Sequence, residues 1–388
     1  MEIKRTLSFE KIKNSIFLFG PRQSGKTWLL KNTVEYDLYI DLLNEKERQR
    51  YLKNPSILFS EAAELNKQNA IIVIDEIQKV PQLLNEVHRT IESKKEPMFI
   101  LTGSSARKLK RNQANMLGGR AVTFRLFPFS YFETKGLFSL NSFLQFGGIP
   151  NVFLSDNIET KKLLLESYVT TYLKEEIFDE ALTRNLPAFS KFLDLAGFEN
   201  GNIINYTTIA REIGTSSKTV KEYFKILSDT LIAFMLPPFV KSHRKRLILH
   251  PKFYFADIGI VFALKRMLAI ELTEGSPIFG DSFEHFIILE TIKAISYLRE
   301  EIELSYFRTK DGAEVDLILE KYNEIIAIEI KSSEMPRKLS GLKSFLKDHS
   351  VQKALCVCRT PRAYSQNGIR FIPWEKYIEL LYEKKLFD

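Results

Sequence analysis

Long apolar runs, cysteine pairs and internal repeats are missing from this 388-residue chain. Its longest apolar stretch, Thr230 to Val240, holds two prolines and is too short to span a bilayer. The start, Met1-Glu2-Ile3-Lys4-Arg5, runs into acidic and polar residues with no apolar core, so no secretory signal is expected. Only two cysteines occur, Cys356 and Cys358. Two cannot make a disulfide framework, and no His or Cys cluster completes a zinc site. Both fall on one face of a strand expected from Ala354 to Cys358, as reduced residues. No low-complexity tract is present. These absences lead to the expectation of a cytoplasmic protein without a membrane partner.

What is present points to a multidomain globular chain. The 45% hydrophobic content supports real cores, and 388 residues suggest two or three domains. The most informative segment is Gly20-Pro21-Arg22-Gln23-Ser24-Gly25-Lys26-Thr27. It fits GxxxxGK[ST] at every fixed position, after an apolar strand (Ser15 to Phe19) and before a helix. Glycines let backbone N–H groups turn toward phosphate oxygens, and a helix N-terminus adds partial positive charge. Lys26 would then reach the β- and γ-phosphates of ATP, and the Thr27 hydroxyl would bind Mg²⁺. A second run, Ala70 to Glu76, is apolar throughout and ends in two carboxylates. Such a run suits a parallel strand covered on both faces, with its chemistry at the carboxyl end. Asp75 is placed to hold the Mg²⁺ shell, and Glu76 to orient or deprotonate the attacking water. Further strands are expected at Tyr36 to Asp41 and Met98 to Ser104. The tip with Thr102, Ser104 and Ser105 either sets a hydroxyl, Ser104, near the γ-phosphate or simply ends the strand. Arg120 either reaches a phosphate of its own or a neighbouring subunit, which would imply a homo-oligomer, or is a solvated arginine.

Past the turn cluster Gly147-Gly148-Ile149-Pro150, apolar spacing from Lys161 to Asp179 predicts a helical lid or spacer. Tyr206 to Val220 has helix-turn-helix spacing. One helix ends at Gly214, and Ser216 or Ser217 caps the next, which turns Val220, Tyr223, Phe224, Leu227 and Leu231 inward. Lys218, Thr219 and Lys221 would face outward at the start of a recognition helix. Strands Phe234 to Leu236 and Lys252 to Phe255 bracket a basic run containing Arg244, Lys245 and Arg246. This pattern suits a winged helix whose wing lies on DNA phosphates; the alternative is packing against the neighbouring domain with a solvated loop. The formal charge of +8 and a pI of about 9.1 are compatible with a nucleic-acid partner.

A new domain is expected past Gly280, with Ser282 capping its first helix. A hairpin turning at Lys310-Asp311-Gly312 leads to Glu314-Val315-Asp316, and a second turn near Tyr322-Asn323 leads to Ile325 through Lys331. Alternation puts Glu329 and Lys331 on one face, with Asp316 on the adjacent strand. Two carboxylates and a carbonyl make an oxygen-rich Mg²⁺ site, where Lys331 would hold water or a scissile phosphate. Glu284 would supply another carboxylate, with Glu290 as the alternate. The competing account is a structural Glu329–Lys331–Asp316 ion-pair network.

The segments GPRQSGKT, IIVIDEIQ with Pro81 after it, LTGSS and GGRAVTFRLFPFSYFE resemble AAA-type P-loop ATPases. Within these they resemble the group, AAA_14, often joined to the domain of unknown function DUF4143. The tail, FRTKDGAEVDLIL followed by AIEIKSS, resembles the PD-(D/E)xK restriction-endonuclease-like fold, with Val315 where that pattern carries proline. Together the resemblances span nearly the whole chain. They imply an α/β protein: a P-loop ATPase with a parallel sheet (1–140), a helical and winged-helix domain (141–270), and a nuclease-like domain (271–388). The expected activity is ATP hydrolysis coupled to DNA binding and metal-dependent cleavage. The alternatives are a regulatory or signalling ATPase with a non-cleaving tail, and a protein-remodelling ATPase.

Overall fold

A computed structural model describes residues 2–9, 12–93, 97–104, 107, 109, 117–173, 186–240 and 250–388. The first sheet is entirely parallel. Its strands are β1 (Ser15–Phe19), β2 (Leu38–Asp41), β3 (Ile71–Asp75), β4 (Met98–Gly103) and β5 (Ala121–Arg125), in the order β2-β3-β4-β1-β5. β1 is buried at every position and β3 at all but its first, as a sheet covered on both faces requires. Crossover helices cover it, among them α1 (Lys26–Thr33) directly after the Gly20–Gly25 loop and α2 (Leu83–Ile91) after β3. The carboxyl ends of β1, β3 and β4 therefore share one edge, and β4 stands between the other two.

The middle segment is mainly helical. A helix over Ile158–Ser167 runs into a π-helical turn, Tyr168–Tyr172. The remainder of the expected Lys161–Asp179 helix, after Leu173, lies outside the described residues. α3 (Tyr206–Ile213) ends at Gly214, whose φ of 69° is left-handed, and α4 (Ser217–Asp229) begins after Ser216. Ser216 is the N-cap, accepting from Thr219 N. Val220, Tyr223, Phe224, Leu227 and Leu231 are buried. Strands β6 (Ala233–Leu236) and β7 (Lys252–Phe255) pair antiparallel.

The long helix α5 (Pro277–Leu298) is capped six residues before the expected cap, Ser282. Ser276 caps it, Pro277 takes the first turn where its missing N–H costs nothing, and Ser282 is buried inside the helix. Its sheet combines β8 (Glu303–Arg308), β9 (Glu314–Lys321), β10 (Glu324–Lys331), β11 (Lys353–Cys358), β12 (Tyr364–Gln366) and β13 (Ile369–Pro373) in the order β12-β13-β11-β10-β9-β8. The β8–β9 hairpin turns through Gly312 at φ 86°, and β9–β10 through Tyr322 and Asn323. Cys356 and Cys358 are both buried in β11. Among the described residues, no helix is long and apolar enough to cross a membrane.

One hydrophobic cluster runs through all three segments, from Ile16 and Leu18 through Phe192 and Phe224 to Phe286, Ile328 and Trp374. Trp374 packs edge-on against Tyr131 and Phe286, at 4.8 and 5.3 Å between ring centres. Two titratable groups are sealed in this junction. His285 Nε2 faces the Phe255 carbonyl at 2.7 Å, and Asp257 accepts from Gly148 N at 2.7 Å and Gly259 N at 2.9 Å. Burial lowers the imidazole pKa to about 3 from 6.5, and raises the Asp257 carboxyl to about 6 from 3.8. The unfolded chain then binds a proton at His285 that the folded chain excludes, so this stability falls as pH drops below 6.5. Asp257 acts oppositely, because its folded form holds the proton more tightly; its contribution falls as pH rises from about 4 to about 6. Going from about pH 7 to about pH 5, the His285 term alone should cost about 2 kcal/mol. A His285→Gln variant should lack that loss while keeping the Asp257 gain. Urea unfolding of both proteins at the two pH values checks this; equal pH responses would refute it.

Candidate functional site

The loop between β1 and α1 is shaped by two glycines. A Cβ on Gly20 would lie 2.3 Å from the Leu126 carbonyl, so no other residue fits without moving β5's extension. Gly25 adopts φ 92°, a left-handed conformation natural to glycine, and Gln23 adopts φ 62°. Lys26 is buried, its Nζ donating to the Gly20 carbonyl at 2.7 Å and the Pro21 carbonyl at 3.1 Å. Ser24 Oγ is buried without a protein partner. A cavity of about 550 Å³ opens over this loop. Arg22, Gln23, Gly25, Lys26, Thr27 and Glu76 line its polar part, and Ile3, Phe129, Pro150 and Leu154 its apolar part. That size and mixture suit a small polar ligand with one apolar end.

Sheet register explains how the second element meets the loop. β4 pairs Thr102 with Leu18 of β1, and Leu101 with Ile74 of β3, so Thr102 falls beside Asp75. Asp75 is buried and fully engaged. Its Oδ2 accepts from Thr27 Oγ1 and Tyr39 OH, each at 2.7 Å, and its Oδ1 from Thr102 Oγ1. Burial, and then the bond to Asp75, raises the Tyr39 pKa and keeps the phenol a donor. The Thr27–Asp75 pair is the donor set that a magnesium ion beside nucleotide phosphates requires: one hydroxyl, one carboxylate, held by second partners. Glu76 follows in a left-handed conformation, φ 63°, costing about 1–2 kcal/mol for a non-glycine residue. Its N–H donates to Thr102 Oγ1 at 3.0 Å and its carboxylate accepts from Gln78. Strain at a residue that carries a carboxylate into a cavity is characteristic of functional positions.

Two residues singled out in the sequence stand as follows. The strand-tip hydroxyl that meets the Asp75 carboxylate is Thr102; Ser104 is buried two residues beyond it. Arg120 precedes Ala121, which pairs with Ser15 at the start of β1, so it lies at the sheet edge opposite the loop. It pairs there with Glu92 on an exposed face, which fits the solvated alternative. The sequence reading also missed Arg5. Its buried guanidinium donates to the Ser24 carbonyl (2.8 Å), the Phe127 carbonyl (2.6 Å), Glu133 (2.9 Å) and the Tyr297 hydroxyl (3.3 Å). It thereby joins the loop to α5. No motif signals this, because its partners are carbonyls, a carboxylate and a hydroxyl scattered 19 to 292 residues away.

In the helix-turn-helix, Lys218 and Lys221 are exposed, with the Lys221 ammonium 5.3 Å from the Tyr206 ring centre. Thr219 is half-buried, and its hydroxyl meets Ser216 Oγ at 2.9 Å on the exposed side of the cap. Arg244, Lys245 and Arg246 lie outside the described residues. Arg107, five residues after Thr102, ties α4 to the first sheet through Asp229 (2.7 Å) and Glu222.

A second polar cluster forms where β9 and β10 meet α5. Lys331 Nζ lies 2.8 Å from Glu329 Oε1 and 3.8 Å from Asp316 Oδ2, and Asp316 also accepts from Ile330 N at 2.7 Å. Glu284 accepts from Tyr254 OH at 2.8 Å. Burial, and then the charges of Glu284 and Glu329, raise the Asp316 pKa well above the usual carboxylate range. Glu290 is excluded from this cluster: it is buried elsewhere on α5, bound to Lys293 at 3.0 Å and Tyr131 N at 2.8 Å. Lys252, Tyr254 and Glu314 belong to the cluster, and the sequence reading did not assign them to it. Among the described residues, no three Asp, Glu, His or Cys side chains converge closely enough to clasp a metal ion as they stand. Glu329 Oε2 is nonetheless buried without a partner, which leaves one ligand lone pair available.

Three family models match consecutive segments. Residues 13–135 match AAA_14, an AAA domain; residues 137–271 match DUF8612 and residues 279–377 match DUF4143, both domains of unknown function. An uncharacterized protein of Mycobacterium tuberculosis is 26% identical over 348 residues, 88% of this chain and 76% of that protein. An uncharacterized protein of Methanocaldococcus jannaschii is 25% identical over 378 residues, covering 89% of this chain and 82% of that protein. Among solved structures, a Walker-type ATPase of Pyrococcus abyssi aligns with 66% of this chain and 92% of its own, at 15% identity and a TM-score of 0.44. Its parallel sheet, its glycine loop and the match over residues 13–135 make the N-terminal segment similar to AAA-type P-loop ATPase domains.

Proposed function

We propose that the chain binds and hydrolyses ATP with Mg²⁺ at the loop between β1 and α1. The observation that carries this is the buried Asp75 carboxylate, held by Thr27, Tyr39 and Thr102 beside the loop and below the cavity. Lys26 would turn from the Gly20 and Pro21 carbonyls to the β- and γ-phosphates, and Ser24 Oγ would gain the partner it lacks. Thr27 and Asp75 would hold Mg²⁺, which neutralises charge developing on the phosphates. Glu76 would orient or deprotonate the attacking water. The division into units at 1–140, 141–270 and 271–388 belongs to this proposal, as does a cytoplasmic location.

A second reading concerns the other two segments. It takes α3–α4 as the core of a winged helix whose Lys218 and Lys221, with the 244–246 run, meet DNA phosphates. It takes Asp316, Glu329 and Lys331, with Glu284, as a metal-dependent nuclease-like centre. The unpartnered, buried Glu329 Oε2 favours this over a closed ion-pair network, which would leave no carboxylate oxygen vacant. The tail as a non-cleaving interaction module is the alternative. One experiment addresses both sites: the full chain is incubated with Mg²⁺, ATP and supercoiled DNA. Magnesium-dependent phosphate release is expected, and its absence sinks the first reading. Nicking that disappears in Lys331→Ala carries the second; intact DNA under Mg²⁺ and Mn²⁺ leaves the non-cleaving module.

A further inference from the structure

Lys252 is the unusual member of the C-terminal cluster. It comes from β7, in the middle segment, yet it is 97% buried, with 3% of its surface exposed. Its Nζ lies 2.5 Å from Glu314 Oε1 and 3.3 Å from Glu284 Oε1. Tyr254, two residues along the same strand face, donates to the same Glu284 oxygen. The β6–β7 hairpin thus delivers one cation and one donor into a site otherwise built from α5, β9 and β10. Inside it, Lys252 and Lys331 face Glu284, Glu314, Asp316 and Glu329: two cations against four carboxylates. Arg308 touches Glu314 only from the exposed rim, at 3.3 Å. A buried ammonium persists only with such partners, and buried carboxylates only with such cations. Glu329, 6% exposed, keeps Oε2 unpaired at the same place.

We infer that Lys252 is a tethered counter-cation occupying the position of a divalent ion, so that cation binding to this cluster competes with docking of the β6–β7 hairpin. The inference rests on the cluster being a cation site, and it adds that the middle segment regulates it. With Lys252 inserted, Glu284 and Glu314 are held by its ammonium, and among the described residues no three carboxylates converge on a single ion. A dication arriving there meets the ammonium's repulsion; withdrawal of β7 frees Glu284 and Glu314 to turn toward Asp316 and Glu329. Because the hairpin follows α4 directly, and Arg107 ties α4 to the nucleotide-binding sheet, motion at the first site has a covalent and ionic path to the second.

The test uses the full chain without nucleotide and reads Mn²⁺ binding by titration calorimetry. Lys252→Met keeps the length of the side chain and removes its charge. Mn²⁺ affinity should rise about tenfold or more, as expected when a competing state is removed. The gain should vanish in the Lys252→Met, Glu329→Gln double variant, which assigns it to this cluster and not to the loop at Lys26. Affinity equal to wild type overturns the inference and leaves the cation site standing; no binding in either protein overturns both. Hydrogen exchange on the wild-type protein gives an arm that needs no substitution. Millimolar Mn²⁺ should speed amide exchange in β7 about tenfold, and protection unchanged by Mn²⁺ overturns the inference.

Discussion

Lys26→Ala is expected to lower kcat/KM for ATP hydrolysis by at least about a hundredfold, the scale of losing one preorganised charged donor at a developing anion. Lys26 is a buried ammonium that donates to two carbonyls of its own loop, at 2.7 and 3.1 Å. Those bonds hold the loop open in the shape that phosphates would meet, so removal has two consequences. The γ-phosphate loses its cation, and the Gly20 and Pro21 carbonyls lose a donor, at about 1–3 kcal/mol of folding stability. Lys26→Met separates them. It fills the space of the stem while lacking the charge, so both variants should lose turnover while Lys26→Met retains packing along the stem. Steady-state phosphate release, with thermal unfolding alongside, measures each effect. Turnover within a few-fold of wild type in a folded variant would falsify the assignment of this loop.

Glu76→Gln should behave differently: chemistry falls by about 10²–10⁴ while nucleotide affinity stays near wild type, as for removal of a general base. The amide keeps the shape of the carboxylate, and the backbone bond from Glu76 N to Thr102 Oγ1 is untouched. Gln78 still has an oxygen to donate to. What disappears is the negative charge at the mouth of the cavity. Binding of a fluorescent ATP analogue and single-turnover hydrolysis in the same preparation separate the two quantities. A parallel loss of affinity and rate would make Glu76 a positioning residue for nucleotide, and an unchanged rate would remove it from the mechanism. Because Glu76 sits at φ 63°, a glycine there relieves backbone strain, so Glu76→Gln, which preserves the strain, is the cleaner comparison.

Local patterns in the chain were enough wherever the chemistry is contiguous. The glycine loop, the apolar β3 ending in Asp75-Glu76, the α3–Gly214–α4 turn and the alternation of Glu329 with Lys331 are all properties of a few neighbouring residues. Their geometry follows from backbone rules: left-handed turns at glycine, side chains that alternate on strands, and hydroxyls that cap helices. Errors came where local signals competed. Gly280 and Ser282 suggested a helix start, but Ser276-Pro277 caps six residues earlier and the apolar face of α5 continues through the glycine.

The sequence by itself determined the glycine loop, the strand ending in Asp75-Glu76 and the helix-turn-helix, since each is encoded within a few residues. Only the tertiary structure decided which strand stands between which. The order β2-β3-β4-β1-β5 puts Thr102 on Asp75 and sends Arg120 to the opposite edge. Only it brought Arg5 to Ser24 and Tyr297, and Lys252 to Glu284 and Glu314. The physical reason is common to all four. A lone charge or hydroxyl carries no periodicity that names its partner, and its partner is set by long-range packing, chiefly in the cluster that joins all three segments.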